Sequence, residues 1–140
     1  MSETVPEQQA APVPQPDVDS AFYWAGLREH RLLLQECEAC GRRRFPPMPA
    51  CPYCADPRSH VAEASGRAKV YSWIVVHHAF QPAFASQVPY TILTVDLEEG
   101  PRMVARLEGD SSELAAGLEG TITYIDHEKW TEPRFRFALR

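Results

Sequence analysis

Apolar residues in the second half of the chain fall in short runs bounded by turn formers, the pattern of strands rather than helices. Residues 70–76 (Val-Tyr-Ser-Trp-Ile-Val-Val) and 90–97 (Tyr-Thr-Ile-Leu-Thr-Val-Asp-Leu) are β-branched and aromatic. Glu98-Glu99-Gly100-Pro101 is a turn, and Met103 to Leu107 returns from it, so the second run and the third form a hairpin. Residues 121–125 and 135–139 supply two further strands, and Ser111 to Ala116 fits a short helical turn between the third and fourth. Five strands with one helix in that place is the element order of an OB-fold barrel. Gly66 and Gly120, each at the opening of a strand run, suit the sharp bends of a small barrel.

The first half reads differently. Residues 1–16 are rich in Gln, Pro, Ala and Glu, too poor in apolar side chains to offset their ordering entropy, and predict a disordered tail or linker. Asp17, Asp19 or Ser20 can cap a helix that carries Phe22, Tyr23, Trp24 and, one turn on, Leu27, and that ends near Glu29 or His30. Three clustered aromatics on so short a helix need a surface to cover, either the rest of this chain or a partner. Residues 32–60 hold strand-like pieces, many prolines and all four cysteines. The resulting division is a tail (1–16), a helix (17–31), a cysteine module (32–62) and a barrel (63–140).

Two Cys-x-x-Cys pairs, Cys37/Cys40 and Cys51/Cys54, have the ligand spacing of a four-thiolate zinc site. Each pair makes a tight turn whose amides can donate to sulfur, and Gly41 stands where such a turn needs a left-handed residue. Disulfides would require an oxidising compartment, for which the sequence has no signal, and a redox pair would need a single motif in a βαβ setting. Iron uses the same four ligands. Four thiolates fill the coordination sphere, so the metal is structural. Arg42-Arg43-Arg44 lies between the pairs, suited to neutralising the thiolate charge, to a solvated turn or to phosphate recognition. Phe45-Pro46-Pro47-Met48-Pro49 follows as a rigid apolar strip for a ligand or partner.

Of the net charge of −5, residues 1–20 hold −4, so the body is nearly neutral and lacks the phosphate-neutralising excess of a general nucleic-acid binder. Tyr71, Trp73, Phe80, Phe84 and Tyr90 could still stack bases, which keeps a nucleic-acid-binding ribbon/OB protein as the alternative. No apolar run is long enough for a transmembrane helix, and the N-terminus has no secretory signal pattern, so the expected setting is cytoplasmic. His77-His78 would point to opposite faces of a strand, one into the barrel, and Asp126-His127-Glu128 reads as a polar loop. Neither makes a catalytic set, and no catalytic residue is expected.

Several motifs occur in order from about Ser20 onward. Phe-Tyr-Trp with Leu-Arg-Glu-His-Arg-Leu enters Cys-x-x-Cys-Gly. Phe-Pro-Pro-Met-Pro-x-Cys-Pro-x-Cys, Val-Tyr-Ser-Trp, Val-Pro-Tyr and Gly-Pro-Arg follow. This order resembles the zinc-ribbon/OB-fold family long labelled a domain of unknown function and associated with acyl-CoA enzymes. The resemblance implies a mainly β protein with an N-terminal helix, a rubredoxin-like zinc ribbon and a C-terminal five-stranded OB-fold barrel. It implies a non-catalytic accessory subunit of a thiolase-superfamily enzyme, a lipid-transfer-type thiolase or aldolase, or of a hot-dog enoyl-CoA hydratase, including those of steroid side-chain degradation. Zinc falls to Cys37, Cys40, Cys51 and Cys54. A coenzyme A thioester is the implied shared ligand, with Phe22, Tyr23, Trp24, Arg42, Arg43, Arg44, Phe45, Pro46 and Pro47 as candidate contacts for it or for the partner.

Overall fold

A computed structural model of the chain describes residues 11–138. The expected tail falls mostly outside them; residues 11–16 have no regular structure and are largely exposed.

Helix α1 spans Ala21–Arg28, with Ser20 at its N-terminal cap position. The Ser20 amide donates to Asp17 Oδ1 at 2.8 Å and the Asp17 amide to Ser20 Oγ at 3.0 Å, which fixes the entry turn. At the other end Arg31 N–H donates to Gly26 O and His30 N–H to Leu27 O, while His30 takes φ +57°. These two bonds and the left-handed residue are a Schellman stop with histidine in the usual glycine place.

Strands β1 (Leu33–Cys37), β2 (Arg43–Arg44) and β3 (Ser59–Glu63) form an antiparallel sheet in the order β2-β1-β3. Strands β4 (Arg67–Val76), β5 (Tyr90–Leu97), β6 (Arg102–Leu107), β7 (Glu119–Asp126) and β8 (Thr131–Phe137) close a barrel in the order β4-β5-β6-β8-β7. Closure depends on one parallel pairing, Arg106 with Arg134 and Leu107 with Phe135. Along β5 the residues Thr91, Leu93, Val95 and Leu97 point inward, as period-two alternation requires. Met103 and Ala105 of β6 face them directly, opposite Val95 and Leu93. Phe135 fills the middle with no exposure at all.

Three expectations change. Residues 111–116 form no helix; a hydrogen-bonded turn from Leu114 N–H to Ser111 O is followed by loop, because Leu114 and Leu118 are drawn down against the core. Gly66 has φ +83° and does serve a bend, but Gly120 has no positive φ. A Cβ on Gly120 would lie 2.2 Å from the Arg136 carbonyl oxygen and 2.4 Å from Phe135 Cζ, so its role is close approach. Finally, His77 and His78 lie beyond the end of β4, and both are exposed.

One apolar core runs through all three parts. Tyr23 and Leu27 of α1, Leu32 and Leu34 at β1, and the inward residues of the barrel form a single cluster. Gly26 makes this possible, since a Cβ there would lie 2.7 Å from Leu33 Cδ1. Polar contacts then hold α1 on the β7–β8 turn. The Arg28 guanidinium donates to the carbonyls of His127 and Glu128. The His30 ring stacks on Tyr124 at 5.1 Å and bonds the Asp126 carboxylate at 2.9 Å. The Asp126-His127-Glu128 stretch is thus the helix's docking turn.

Candidate metal centre and ribbon–barrel seam

Each cysteine pair is a backbone knuckle, and the two are built alike. In the first, Gly41 N–H donates to Cys37 O at 3.0 Å and Cys37 N–H to Arg42 O at 2.9 Å. In the second, Ala55 N–H donates to Cys51 O at 2.9 Å and Cys51 N–H to Asp56 O at 2.9 Å. The residue after each second cysteine is left-handed, Gly41 at φ +74° as its identity predicts, and Ala55 at φ +66°. Ala55 carries no sequence signal, because alanine has no preference for that region.

The four Sγ atoms lie within 4.8 Å of one another, with Cys37–Cys54 at 3.5 Å and Cys40–Cys51 at 3.7 Å. A tetrahedron of Zn–S bonds near ~2.3 Å has sulfur–sulfur edges of about 3.8 Å, so the cage fits zinc. Its electrostatics agree. The amides of Cys40 and Ala39 donate toward Cys37 Sγ and lower its pKa. Burial works against ionisation of Cys51, yet the Tyr53 and Cys54 amides bring it down to about 6. The Asp56 amide favours the Cys54 thiolate, but crowding by Cys37, Cys51 and Cys40 drives that thiol up to about 12. Four thiolates repel one another without a dication between them, and a dication removes the repulsion. With all four ligands supplied by protein, such a metal has no open position and cross-links β1 to the Pro52 turn.

The three arginines between the knuckles have different fates. Arg42 is exposed, its guanidinium 4.6 Å over the Tyr53 ring. Arg43 is half-buried and paired with Glu36 at 3.0 Å. Arg44 is only 2% exposed; its Nε donates to Gln35 Oε1 and its Nη2 to Met48 O, and its Nη1 has no partner among the described residues. Gln35, which no sequence signal singled out, also accepts from Met48 N–H and donates to Met48 O, and so pins the proline strip to β1. Phe45 packs against the core and meets Tyr23 edge-on at 5.3 Å, while Pro46 is exposed and Pro47 half-buried.

Of the candidate contacts, Tyr23, 4% exposed, and Arg44, 2% exposed, are covered within the chain and support its own packing. Phe22 and Trp24 are partly buried against the core, Trp24 meeting Trp130 at 6.1 Å. The helix aromatics thus dock on their own chain first. A cleft of roughly 650 Å³ opens on the seam between ribbon and barrel, lined by Arg44, Phe45, Tyr53, Asp96 and Arg102 among others. Arg102 is held there by Asp96 at 2.6 Å and lies 3.5 Å over the Tyr71 ring.

Residues 24–58 match the family described as the ChsH2 rubredoxin-like zinc ribbon domain, and residues 61–119 match the ChsH2 C-terminal OB-fold domain. A solved structure described as the Ltp2-ChsH2(DUF35) aldolase aligns with 91% of this chain and 100% of its own, at 36% identity and a TM-score of 0.81. The chain belongs to the DUF35 family of zinc-ribbon/OB-fold proteins. A DUF35 domain-containing scaffold protein of Pyrococcus furiosus is 35% identical over 99 residues, 69% of this chain and 71% of that one. The benzoylsuccinyl-CoA thiolase subunit BbsA of Thauera aromatica is 31% identical over 110 residues, 74% of each. A probable enoyl-CoA hydratase alpha subunit of Thermomonospora curvata is 36% identical over 130 residues, 91% of this chain but 40% of that relative. This chain therefore spans less than half of the hydratase subunit it matches. The zinc-ribbon match and the thiolate cage agree on a structural zinc ion, and no helix among the described residues is long and apolar enough to cross a membrane.

Proposed function

We propose that this chain is a non-catalytic accessory subunit that docks on a thiolase-superfamily acyl-CoA enzyme, of the lipid-transfer-type thiolase or aldolase kind. The observation that carries this reading is the match to the whole length of a chain in the structure described as the Ltp2-ChsH2(DUF35) aldolase, together with the two ChsH2 domain matches. The site chemistry supports it. A metal held by Cys37, Cys40, Cys51 and Cys54 has no vacant position for substrate or water, so it shapes the ribbon and activates nothing. The ribbon in turn lines the seam cleft with Arg44, Phe45, Pro52 and Tyr53.

In this reading the cleft contributes to binding a coenzyme A thioester that the partner converts. Arg102, paired with Asp96, lies in its wall, Arg42 stacks on the Tyr53 ring of that wall, and the partner supplies the reacting groups. C–C bond chemistry on the acyl group belongs to the partner. The setting is cytoplasmic, where the four thiols stay reduced and free to bind metal.

The test is reconstitution. The full chain, loaded with zinc, is mixed with the Ltp2 aldolase, and complex formation is followed by sedimentation and by calorimetry with a CoA thioester. The expected result is a stable hetero-oligomer that binds the thioester more tightly than either protein alone, with no turnover by this chain alone. Thioester turnover by the isolated chain would overturn the reading. So would the absence of a complex together with salt-sensitive binding to single-stranded oligonucleotide.

A further inference from the structure

Between Lys69 and Asp96 the chain has 26 consecutive residues without an Asp, Glu, Lys or Arg, where its overall composition of 24% would place about six. These residues are the outer half of β4, the loop 77–89 and most of β5. Val70 and the inward residues of β5 belong to the core, but β4 from Tyr71 to Val76 does not. β4 pairs with β7 only over Arg67–Lys69, and its last contact on that side is Val70, which donates to Leu118 O and accepts from Gly117 N–H. A register shift between Val70 and Ser72 then turns the strand out. From Tyr71 to Val76 it has a strand neighbour only in β5, and its other edge is paired with no strand among the described residues.

The arm is apolar and open on both faces. Tyr71, Ser72, Trp73, Ile74 and Val75 are all exposed, Ile74 at 62%, and Phe80 on the loop beyond is 87% exposed. A free edge is a row of unpaired backbone donors and acceptors. Proteins that leave such an edge in water place lysine, proline or inward charge on it. This edge has none of these over six residues, the usual length of a strand. Main-chain groups in a row recognise another extended main chain, and an uncharged apolar arm matches an uncharged apolar segment.

We infer that the free edge of β4, Tyr71 to Val76, is a strand-addition site that pairs with an extended, uncharged segment of the partner enzyme, with Trp73, Ile74 and Phe80 packing on its side chains. This rests on the accessory-subunit reading above. A different protein is the expected occupant, since relatives of this chain are described as subunits of multi-protein enzymes.

The experiment compares wild type, Ile74→Lys and Val104→Lys, each as the zinc-loaded full chain, for binding to Ltp2. Val104, 59% exposed on β6, is a control away from the edge. Ile74→Lys is expected to weaken binding at least about tenfold, and Val104→Lys no more than about twofold, with both variants melting as wild type does. Amide exchange at residues 71–76 is expected to slow on binding. If wild type binds but Ile74→Lys binds equally well, or exchange at 71–76 is unchanged, the strand-addition site is refuted while the accessory role stands. If the isolated chain is a dimer that Ile74→Lys dissociates, the occupant is a second copy and the inference fails. If wild type does not bind Ltp2, both readings fall.

Discussion

Gly120→Ala offers a sharp test of how the barrel closes. Gly120 lies on β7 opposite Phe137 of β8 and Ala68 of β4, at the point where three strands meet. The added methyl carbon would stand 2.2 Å from a backbone oxygen of β8, and 2.4 and 2.9 Å from the Phe135 ring. Neither neighbour can yield cheaply. The oxygen belongs to a paired strand, and the ring is the largest fully buried side chain in the chain. Overpacking in a close-packed core costs about 1–3 kcal/mol, and a double clash with backbone and ring belongs at the upper end, about 3 kcal/mol. With an unfolding entropy of about 2.1 cal/mol/K per residue, a chain of this size loses roughly 10 °C in Tm. Gly66→Ala is the internal comparison: its nearest neighbour would be Thr121 Oγ1 at 3.5 Å, so it has room, and its cost is the strained φ of +83° alone, about 1–2 kcal/mol. Thermal unfolding followed by circular dichroism at fixed zinc concentration measures both. A Gly120→Ala protein that melts within about 3 °C of wild type, or above Gly66→Ala, would refute the close-approach argument.

Elemental analysis should find one zinc per chain, and a strong chelator or Cys51→Ser should remove it and unfold the ribbon, read as loss of near-ultraviolet dichroism from Tyr53 and Phe45; an unchanged spectrum on metal loss would show the cage to be dispensable. Ala55→Gly should raise stability by roughly 0.5–1 kcal/mol, because glycine adopts the left-handed conformation of that knuckle without a Cβ penalty; a lower Tm would count against the matched-knuckle geometry. The Thr131 hydroxyl and then the His30 ring hold the Asp126 carboxyl below its ordinary value of 3.8. Its contribution is therefore present above about pH 4 and is lost as pH falls through the lower folded value, so Asp126→Asn should flatten the acid limb of stability below about pH 4, as an acid titration of unfolding would show.

The strands of the barrel were legible because each has a local signature. Tyr90 to Leu97 alternates inward and outward over its whole length, and the Gly100-Pro101 turn sets the register of its partner. The cysteine knuckles were legible for the same reason: two cysteines two residues apart specify each turn locally, with Gly41 as a further mark of the first, although the left-handed Ala55 of the second carries none. What was not legible lay in contacts between distant segments. Gln35 looks like any strand glutamine until the strip at Met48 returns to it. Ser111 to Ala116 has helix-compatible residues, but Leu114 is claimed by a core that local pattern does not describe. Tyr23 and Arg44 look like surface recognition residues in sequence because nothing nearby in the chain covers them.

Local pattern alone thus specified the parts and their order, an aromatic helix, a four-thiolate knot and five strands, while the strand ends moved: 121–125 extends to Glu119–Asp126 and 135–139 becomes Thr131–Phe137. Long-range contacts settled how the parts are shared out. They closed the barrel through the parallel β6–β8 pairing, pressed α1 onto the β7–β8 turn, buried Tyr23 and Arg44, and left the edge of β4 open. The physical reason is that burial and edge pairing depend on which segments meet across the whole chain. Two residues with the same local pattern end as core or as surface according to what arrives from elsewhere.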